Sequence, residues 1–202
     1  LASEYQVLCI PGGFSYGDDI AAGRIFANQL RHHLGYILHE FRAVGKLLLG
    51  ICNGFQVLIK SGLLDTDDEI GPAASPTWND SGCFIVGEKC VFLSGIEELY
   101  LPIAHAEGKF VTSDPATLER LERGGQLVLR YADVGGAIQP FNPNGAIDNV
   151  AGMCDQSGRV LGLMPHPERF VDFTQHPNWT RNETRGEGAG LAMFRNAVRY
   201  FS

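Results

Sequence analysis

Apolar positions in the first third of the chain fall into short continuous runs that alternate with longer helical stripes. The run at residues 6–10 predicts a buried strand, and apolar residues recurring every three or four positions over 24–44 predict a helix. A second run, 46–51, is followed by a second helical pattern, 53–61. Strands that alternate with helices predict a parallel sheet with helices on both faces.

The pattern changes in the second half, where short apolar runs follow one another with fewer helices between them. The strands expected there lie at 90–93, 99–104, 109–112, 126–131, 149–154 and 159–164. The last two are expected to pair as an antiparallel hairpin, because the segment between them has turn composition. Helices are expected from Asp114-Pro115 to about Arg123 and over the C-terminal stripe that begins at Leu191. The fold class expected is α/β, an open, mostly parallel sheet flanked by helices with some antiparallel strands in the second half.

Composition limits the class of protein and its cellular environment but does not assign a function. With 202 residues, 45% hydrophobic and 19% charged, the chain is expected to form one domain. A net charge of -7 argues against a nucleic-acid partner. Five scattered cysteines without a CxxC pair argue against a disulfide framework or a zinc site and favour a reducing cytoplasm. No apolar run approaches the ~20 residues that a membrane-spanning helix needs.

The segment Gly50-Ile51-Cys52-Asn53-Gly54 places one cysteine between a predicted strand and a predicted helix. This is the layout of a nucleophile elbow, a sharp strand-to-helix turn that needs small residues two positions before and after the nucleophile. The helix that begins at Asn53 directs its free N–H groups at the sulfur, which favours thiolate. A small buried cysteine in a glycine-rich turn is the alternative.

A base for such a thiol is offered by Pro165-His166-Pro167-Glu168. The prolines hold the backbone extended, and the alternating spacing directs His166 and Glu168 to the same side. Glu168 would hold one imidazole nitrogen so that the other accepts the thiol proton. Alone, the segment is better explained as a proline-rich surface loop with a solvated histidine; beside the elbow it suggests a Cys-His-Glu triad.

Two glycines, Gly12 and Gly13, directly follow the first predicted strand. Their main-chain N–H groups can turn outward and stabilise an oxyanion, with the amide of Asn53 as the second donor. A phosphate-binding loop is disfavoured, because the segment matches neither GxxxxGK[ST] nor GxGxxG. A plain tight turn remains the alternative.

His105 and Glu107 form a further His-x-Glu pair at a predicted strand end. The pair could hold the charged end of a polar substrate, act as a second acid–base pair, or be an exposed strand end. Gln56, one turn beyond Cys52, either faces the pocket or packs under the sheet, and spacing does not decide between the two.

These motifs together resemble the class I, or triad, glutamine amidotransferases, through Gly50-Ile51-Cys52-Asn53-Gly54-Phe55-Gln56 and Pro165-His166-Pro167-Glu168. Pro11-Gly12-Gly13-Phe14-Ser15-Tyr16-Gly17-Asp18, Ala104-His105-Ala106-Glu107-Gly108 and Asn142-Pro143-Asn144-Gly145 are similar to the purine-pathway members, the glutaminase subunits of phosphoribosylformylglycinamidine synthase. The resemblance runs nearly end to end and implies a flavodoxin-like sheet.

The resemblance implies glutamine hydrolysis through a glutamyl thioester on Cys52, with Gln56 against the substrate and His105 and Glu107 as weaker candidates for the pocket. It implies no cofactor in this chain. Ammonia would pass to a synthetase subunit that uses ATP and Mg, with a small accessory subunit also conceivable.

Proteins of this class begin with a further strand and helix, so we expect this sequence to lack the N-terminal strand and helix of the domain. The region near residue 84 is also expected to be short. Three other functions stay open on the sequence: a class I amidotransferase of another pathway, a stand-alone cysteine hydrolase, and a non-catalytic scaffold subunit.

Overall fold

The computed structural model describes residues 3–15, 21, 23–64, 74–81, 83, 85–93, 96–132, 142–181 and 185–202. The helices within those ranges are α1 (Arg24–Ala43), α2 (Asn53–Lys60), α3 (Pro115–Arg123) and α4 (Leu191–Arg199). The strands are β1 (Val7–Ile10), β2 (Leu47–Ile51), β3 (Ala74–Thr77), β4 (Ile85–Leu93), β5 (Ile96–His105), β6 (Lys109–Thr112), β7 (Leu129–Ala132), β8 (Val150–Cys154) and β9 (Val160–Leu163). None of the helices in these ranges is both long and apolar enough to cross a membrane.

The fold is α/β with a mixed seven-stranded sheet in the order β1-β2-β9-β8-β7-β4-β5. Strands β1, β2 and β9 are parallel to one another. The other neighbours in this sheet are antiparallel, including the β8–β9 hairpin expected from its turn. Strands β3 and β6 form a separate antiparallel pair. Parallel pairing therefore lies in the part of the sheet that carries the candidate elbow.

Strand β3 was not expected from the sequence, and β4 begins earlier than expected. A proline at position 76 argues against a strand, because it cannot donate a ladder hydrogen bond. In the described residues β3 pairs with β6 alone, so one side of the strand needs no donors. The first half of β4 contains Gly87, Glu88 and Lys89, which weaken the strand signal.

Two predicted apolar stripes are only partly buried. In α1 the buried positions are Ala27, Leu30, Leu38 and Phe41, whereas Leu34, predicted to lie on the buried stripe, is 43% exposed. In α4 only Met193 is buried, and Val198 is exposed. A helical period identifies a face, but the neighbouring elements decide how much of that face is covered.

The carboxyl ends of β1, β2 and β9 lie at one edge of the sheet, because parallel strands share their direction. The segments that follow them are the glycine turn at Gly12 and Gly13, the candidate elbow at Cys52, and the His-Pro-Glu segment. The sheet order therefore gathers all three segments. Tyr16, Gly17, Asp18 and Phe84 lie outside the described residues, and the expected further N-terminal strand and helix stay a prediction.

Candidate active site

Cys52 lies between β2 and α2 in a backbone conformation with φ 52° and ψ -107°. Positive φ is unfavourable for a residue with a side chain, and such strain is typical of functional turns. The main-chain N–H of Cys52 donates to Leu163 O at 2.7 Å, which continues the β2–β9 pairing up to the nucleophile. The residue is 7% exposed, and its Sγ donates to Ala104 O at 3.4 Å.

The flanking glycines make this turn sterically feasible. A Cβ on Gly54 would lie 1.9 Å from Ile10 O, and a Cβ on Gly50 would lie 2.6 Å from Gly54 O. Both contacts are with backbone atoms, which cannot rotate away as a flexible side chain can. The start of α2 can therefore pack against β1 only if position 54 lacks a side chain, and against β2 only if position 50 lacks one.

His166 and Glu168 are held together as the spacing predicts. His166 Nδ1 and Glu168 Oε1 are 2.7 Å apart, and His166 is 1% exposed. The main-chain N–H of His166 donates to Pro102 O on β5 at 2.8 Å. His166 Nε2 is buried and has no hydrogen-bond partner among the described protein atoms. Glu168 therefore occupies one nitrogen and leaves the other available for proton transfer.

Cys52 and His166 both approach Gly12. A Cβ built on Gly12 would lie 2.8 Å from His166 Cε1 and 3.3 Å from Cys52 Cβ. Gly12 therefore leaves the space that Cys52 Cβ and the near edge of the His166 ring occupy. The next residue, Gly13, has a φ of 139°, a conformation that side-chain-bearing residues rarely adopt.

The glycine turn is fastened to α2 through the side chain of Asn53. Ser15 Oγ donates to Asn53 Oδ1 at 2.7 Å, and Asn53 Nδ2 donates to Gln56 Oε1 at 3.1 Å. Asn53 is 4% exposed, so its bond to Gln56 is buried, whereas its bond to Ser15 is partly buried. The sequence predicts a role for the main-chain amide of Asn53 alone; the contacts of its side chain with Ser15 and Gln56 depend on the tertiary structure.

Gln56 is buried, with 3% of its surface exposed. Its Nε2 donates to the main-chain oxygen of Glu107 at 2.6 Å, while its Oε1 accepts from Asn53. Both polar ends of the side chain are thus hydrogen-bonded within the protein. Gln56 joins α2 to the turn after β5, the strand whose last residue is His105.

His105 is buried beside His166. The residue is 2% exposed, and neither ring nitrogen has a hydrogen-bond partner among the described protein atoms. Burial lowers the pKa of His105 to about 4, and the nearby His166 adds to the lowering. His105 is therefore neutral at physiological pH, which makes it a poor partner for a charged carboxylate group.

Sequence reasoning did not identify several polar residues that surround this site. They are Ser15, Asn79, Tyr131 and Asn144, of which the last three are at most 3% exposed. Burial raises the pKa of Tyr131, whose hydroxyl lies 3.4 Å from Asn144 Nδ2. Asn144 stands in a motif that supported the family resemblance, whereas Asn79 carried no signal. Within the described part of the chain, no group of three His, Cys, Asp or Glu residues is arranged to hold a metal ion.

Comparison with known proteins gives a consistent result. A family model described as a CobB/CobQ-like glutamine amidotransferase domain matches residues 1–201. Phosphoribosylformylglycinamidine synthase subunit PurQ of Dehalococcoides mccartyi is 43% identical over 210 residues, spanning 98% of this chain and 80% of the relative. The PurQ subunit of Archaeoglobus fulgidus is 41% identical over 217 residues, spanning 98% and 78% of the two chains.

A solved structure of PurLQS from Thermotoga maritima contains a chain with the same fold. It matches with a TM-score of 0.71 and 29% identity, covering 98% of this chain and 81% of that chain. The glutaminase domain of Trypanosoma brucei CTPS, at 12% identity and a TM-score of 0.52, shares the fold.

Proposed function

Since this chain belongs to the CobB/CobQ-like glutamine amidotransferase family, we propose that Cys52, His166 and Glu168 carry out its hydrolysis of glutamine. The chain is an enzyme, the glutamine amidotransferase component of phosphoribosylformylglycinamidine synthase. It supplies ammonia for the formation of formylglycinamidine ribonucleotide in purine biosynthesis.

The first half of the reaction forms a thioester. His166 takes the thiol proton, and Cys52 Sγ attacks the side-chain amide carbon of glutamine. The main-chain amides of Gly13 and Asn53 stabilise the oxyanion of the tetrahedral intermediate. His166 then returns its proton to the amide nitrogen as the C–N bond breaks, so that ammonia leaves and a glutamyl thioester remains on Cys52.

The second half regenerates the enzyme. His166 takes a proton from water, and the resulting hydroxide attacks the thioester carbonyl. The C–S bond breaks, the proton passes from His166 to the sulfur, and glutamate leaves. Glu168 orients the imidazole throughout and stabilises its protonated form.

The observation that supports this mechanism most is the environment of His166. Its Nδ1 lies 2.7 Å from Glu168 Oε1, whereas its Nε2 is buried without a protein partner in the described residues. A buried imidazole nitrogen without a partner is costly, so its retention indicates a role in transferring a proton. The nucleophile directly follows β2, the strand that pairs with β9.

We place the glutamine pocket at the mouth formed by the elbow and the turn after β5. In this proposal Glu107 and His105 line the pocket, the imidazole acting as a neutral hydrogen-bond donor or acceptor. Gln56 contributes by holding the Glu107 main chain, and through it the pocket wall.

The synthetase partner is proposed to be a PurL subunit, as in the Thermotoga maritima PurLQS structure. We assign ATP and Mg to that partner and leave a small accessory subunit as a further member of the complex. The scattered cysteines support a cytoplasmic setting for the reaction.

The test is glutaminase activity of the purified chain with and without PurL. Cys52→Ala is expected to abolish glutamate release in both conditions, while Cys9→Ala, an exposed cysteine, serves as the matched control and retains activity. Undiminished glutamate release by Cys52→Ala, or activity on other amides in preference to glutamine, would contradict the proposal.

A further inference from the structure

The turn from Ala104 to Gly108 has each of its main-chain carbonyls hydrogen-bonded. Ala104 O accepts from Cys52 Sγ, and Glu107 O accepts from Gln56 Nε2. The carbonyls of His105, Ala106 and Gly108 accept from two asparagines, Asn79 and Asn144. A turn held in this way has little freedom to move relative to the nucleophile.

Asn79 makes the larger share of these bonds. Its Nδ2 donates to His105 O at 2.8 Å, its Oδ1 accepts from Gly108 N at 3.0 Å, and its main-chain N–H donates to Ala106 O at 2.8 Å. The residue is 3% exposed. One side chain thus closes the turn from both ends.

Asn144 holds the same turn from the other side. Its Nδ2 donates to Gly108 O at 2.8 Å and its Oδ1 accepts from Ala146 N at 3.0 Å. It is 1% exposed. The main-chain N–H of Asp80 donates to Asn144 O at 3.1 Å, so the two asparagines are also joined through the backbone.

The turn and the strand before it contact both reactive residues. Ala104 O contacts the thiol of Cys52, and Pro102 O accepts from the main-chain N–H of His166. A displacement of the end of β5 would therefore change the position of the thiol relative to the imidazole. In a preorganised site, displacements of about 1 Å can lower the rate by about 100-fold.

From these contacts we propose that Asn79 and Asn144, together called the asparagine clamp, are positioning residues that hold the turn 104–108 against Cys52. The proposal rests on the proposed glutaminase function for its activity readout. Neither asparagine touches Cys52 or His166 through a hydrogen bond among the described contacts, so the clamp acts through the turn and not on the reacting atoms.

The test uses the isosteric variants Asn79→Asp and Asn144→Asp, which keep the acceptor oxygen and lose the donating nitrogen. The matched control is Gln126→Glu. Gln126 is 2% exposed and its Nε2 donates to Cys154 O at 3.1 Å, near the opposite end of the sheet. All three variants replace one buried donor, so they share any general loss of stability. Asn79→Ser and Asn144→Ser, which add no charge near the Cys52 thiol, must show the same changes, and they replace any carboxylate variant that does not fold.

Two readouts are needed. In the complex with PurL, each clamp variant is expected to lower kcat/KM for glutamine about 10- to 100-fold, with Gln126→Glu within about threefold of the unmodified enzyme. The second readout is the ratio of iodoacetamide alkylation at Cys52 to that at exposed Cys9 in the same folded molecule, measured by mass spectrometry. This ratio is expected to change at least about threefold in the clamp variants and not in Gln126→Glu.

The two readouts separate failure of the clamp from failure of the function. Folded clamp variants with unchanged kcat/KM and an unchanged Cys52-to-Cys9 alkylation ratio would overturn the clamp. Equal losses in the clamp variants and in Gln126→Glu would also overturn it, since general destabilisation would then explain them. If the unmodified complex does not hydrolyse glutamine, the proposed function fails, and the alkylation ratio still tests the clamp.

Discussion

Cys52 occupies a backbone conformation that the surrounding residues enforce. Its φ of 52° is unfavourable for a side-chain-bearing residue, and the cost is offset because β2 and α2 are both packed against their neighbours. Gly50 and Gly54 allow that packing, since a Cβ at either position would meet backbone atoms closer than 3 Å. The sequence of residues 50–54 therefore already provides the two side-chain-free positions that this turn needs.

Gly54→Ala is expected to lower the free energy of unfolding by about 3 kcal/mol or more, because the new Cβ would lie 1.9 Å from Ile10 O and backbone would have to move. Urea denaturation measures this. Gly158→Ala is the control: its φ is 69° but nothing lies within 4 Å, so the cost is the conformational strain alone, about 1 kcal/mol. An equal loss of unfolding free energy in Gly54→Ala and Gly158→Ala would show that the close approach of Gly54 to β1 does not determine the loss.

His105 gives a prediction about pH. Burial lowers its pKa from 6.5 to about 4, so the unfolded chain binds the proton more readily than the folded chain between these values. The free energy of unfolding therefore falls as the pH is lowered from 6.5 toward 4, because protons bind preferentially to the unfolded chain. The total loss that His105 causes over this interval is about 3 kcal/mol. His105→Gln is expected to show a shallower loss of unfolding free energy over this interval. Parallel pH curves for the two proteins would contradict the assignment.

At the scale of elements, the apolar patterns predicted whether a segment is a helix or a strand better than they predicted how much of its apolar face is buried. The α1 and α2 patterns were found almost as expected, but the partial exposure of α1 and α4 was not predicted. Strand β3 was not predicted, because its internal proline cannot donate a hydrogen bond to a neighbouring strand. The strand forms nevertheless, since in the described residues it pairs with β6 alone and needs donors on one side only. Local patterns report what a segment prefers, whereas its partners decide which faces are covered and which donors are needed.

Gly35 in the middle of α1 offers a stabilising change. A Cβ there would lie 4.0 Å from Leu30 O, an ordinary van der Waals contact, and the position has helical backbone. Gly35→Ala is expected to raise the free energy of unfolding by about 1 kcal/mol, because alanine loses less backbone freedom on folding. Glutaminase kcat/KM should be unchanged. A destabilised Gly35→Ala variant in thermal or urea unfolding would contradict this packing of α1.

At the scale of the whole molecule, the sheet separates a reactive edge from a structural one. The segments after β1, β2 and β9 meet at one edge, whereas the β8–β9 turn and Asp155 lie at the other. Asp155 is 4% exposed, and its Oδ1 accepts from the main-chain N–H groups of Arg159 and Val160, both at 3.0 Å. Its Oδ2 lies 3.7 Å from Arg42 Nη1 on α1.

Asp155→Ala is expected to lower the free energy of unfolding by about 3 kcal/mol, because two main-chain donors lose their acceptor. Arg42→Ala, which removes the longer ion pair and a 3.4 Å hydrogen bond to Leu63 O, should cost less, about 1 kcal/mol. Both variants should keep the kcat/KM of the folded enzyme, since the reactive edge is at the other end of the strands. A large loss of kcat/KM at full folding would show that the two edges are coupled.

The sequence by itself determined the features that depend on near neighbours. Alternating apolar runs and stripes gave the α/β class, the spaced glycines gave the elbow, and two residues of separation were enough to pair His166 with Glu168. Only the tertiary structure decided that Ala104 contacts the Cys52 thiol, 52 residues away, and that Asn79 and Asn144 close the turn over separations of 26 and 36 residues. The physical reason is that local sterics and periodicity act over a few residues, whereas these contacts depend on which strands become neighbours in the sheet.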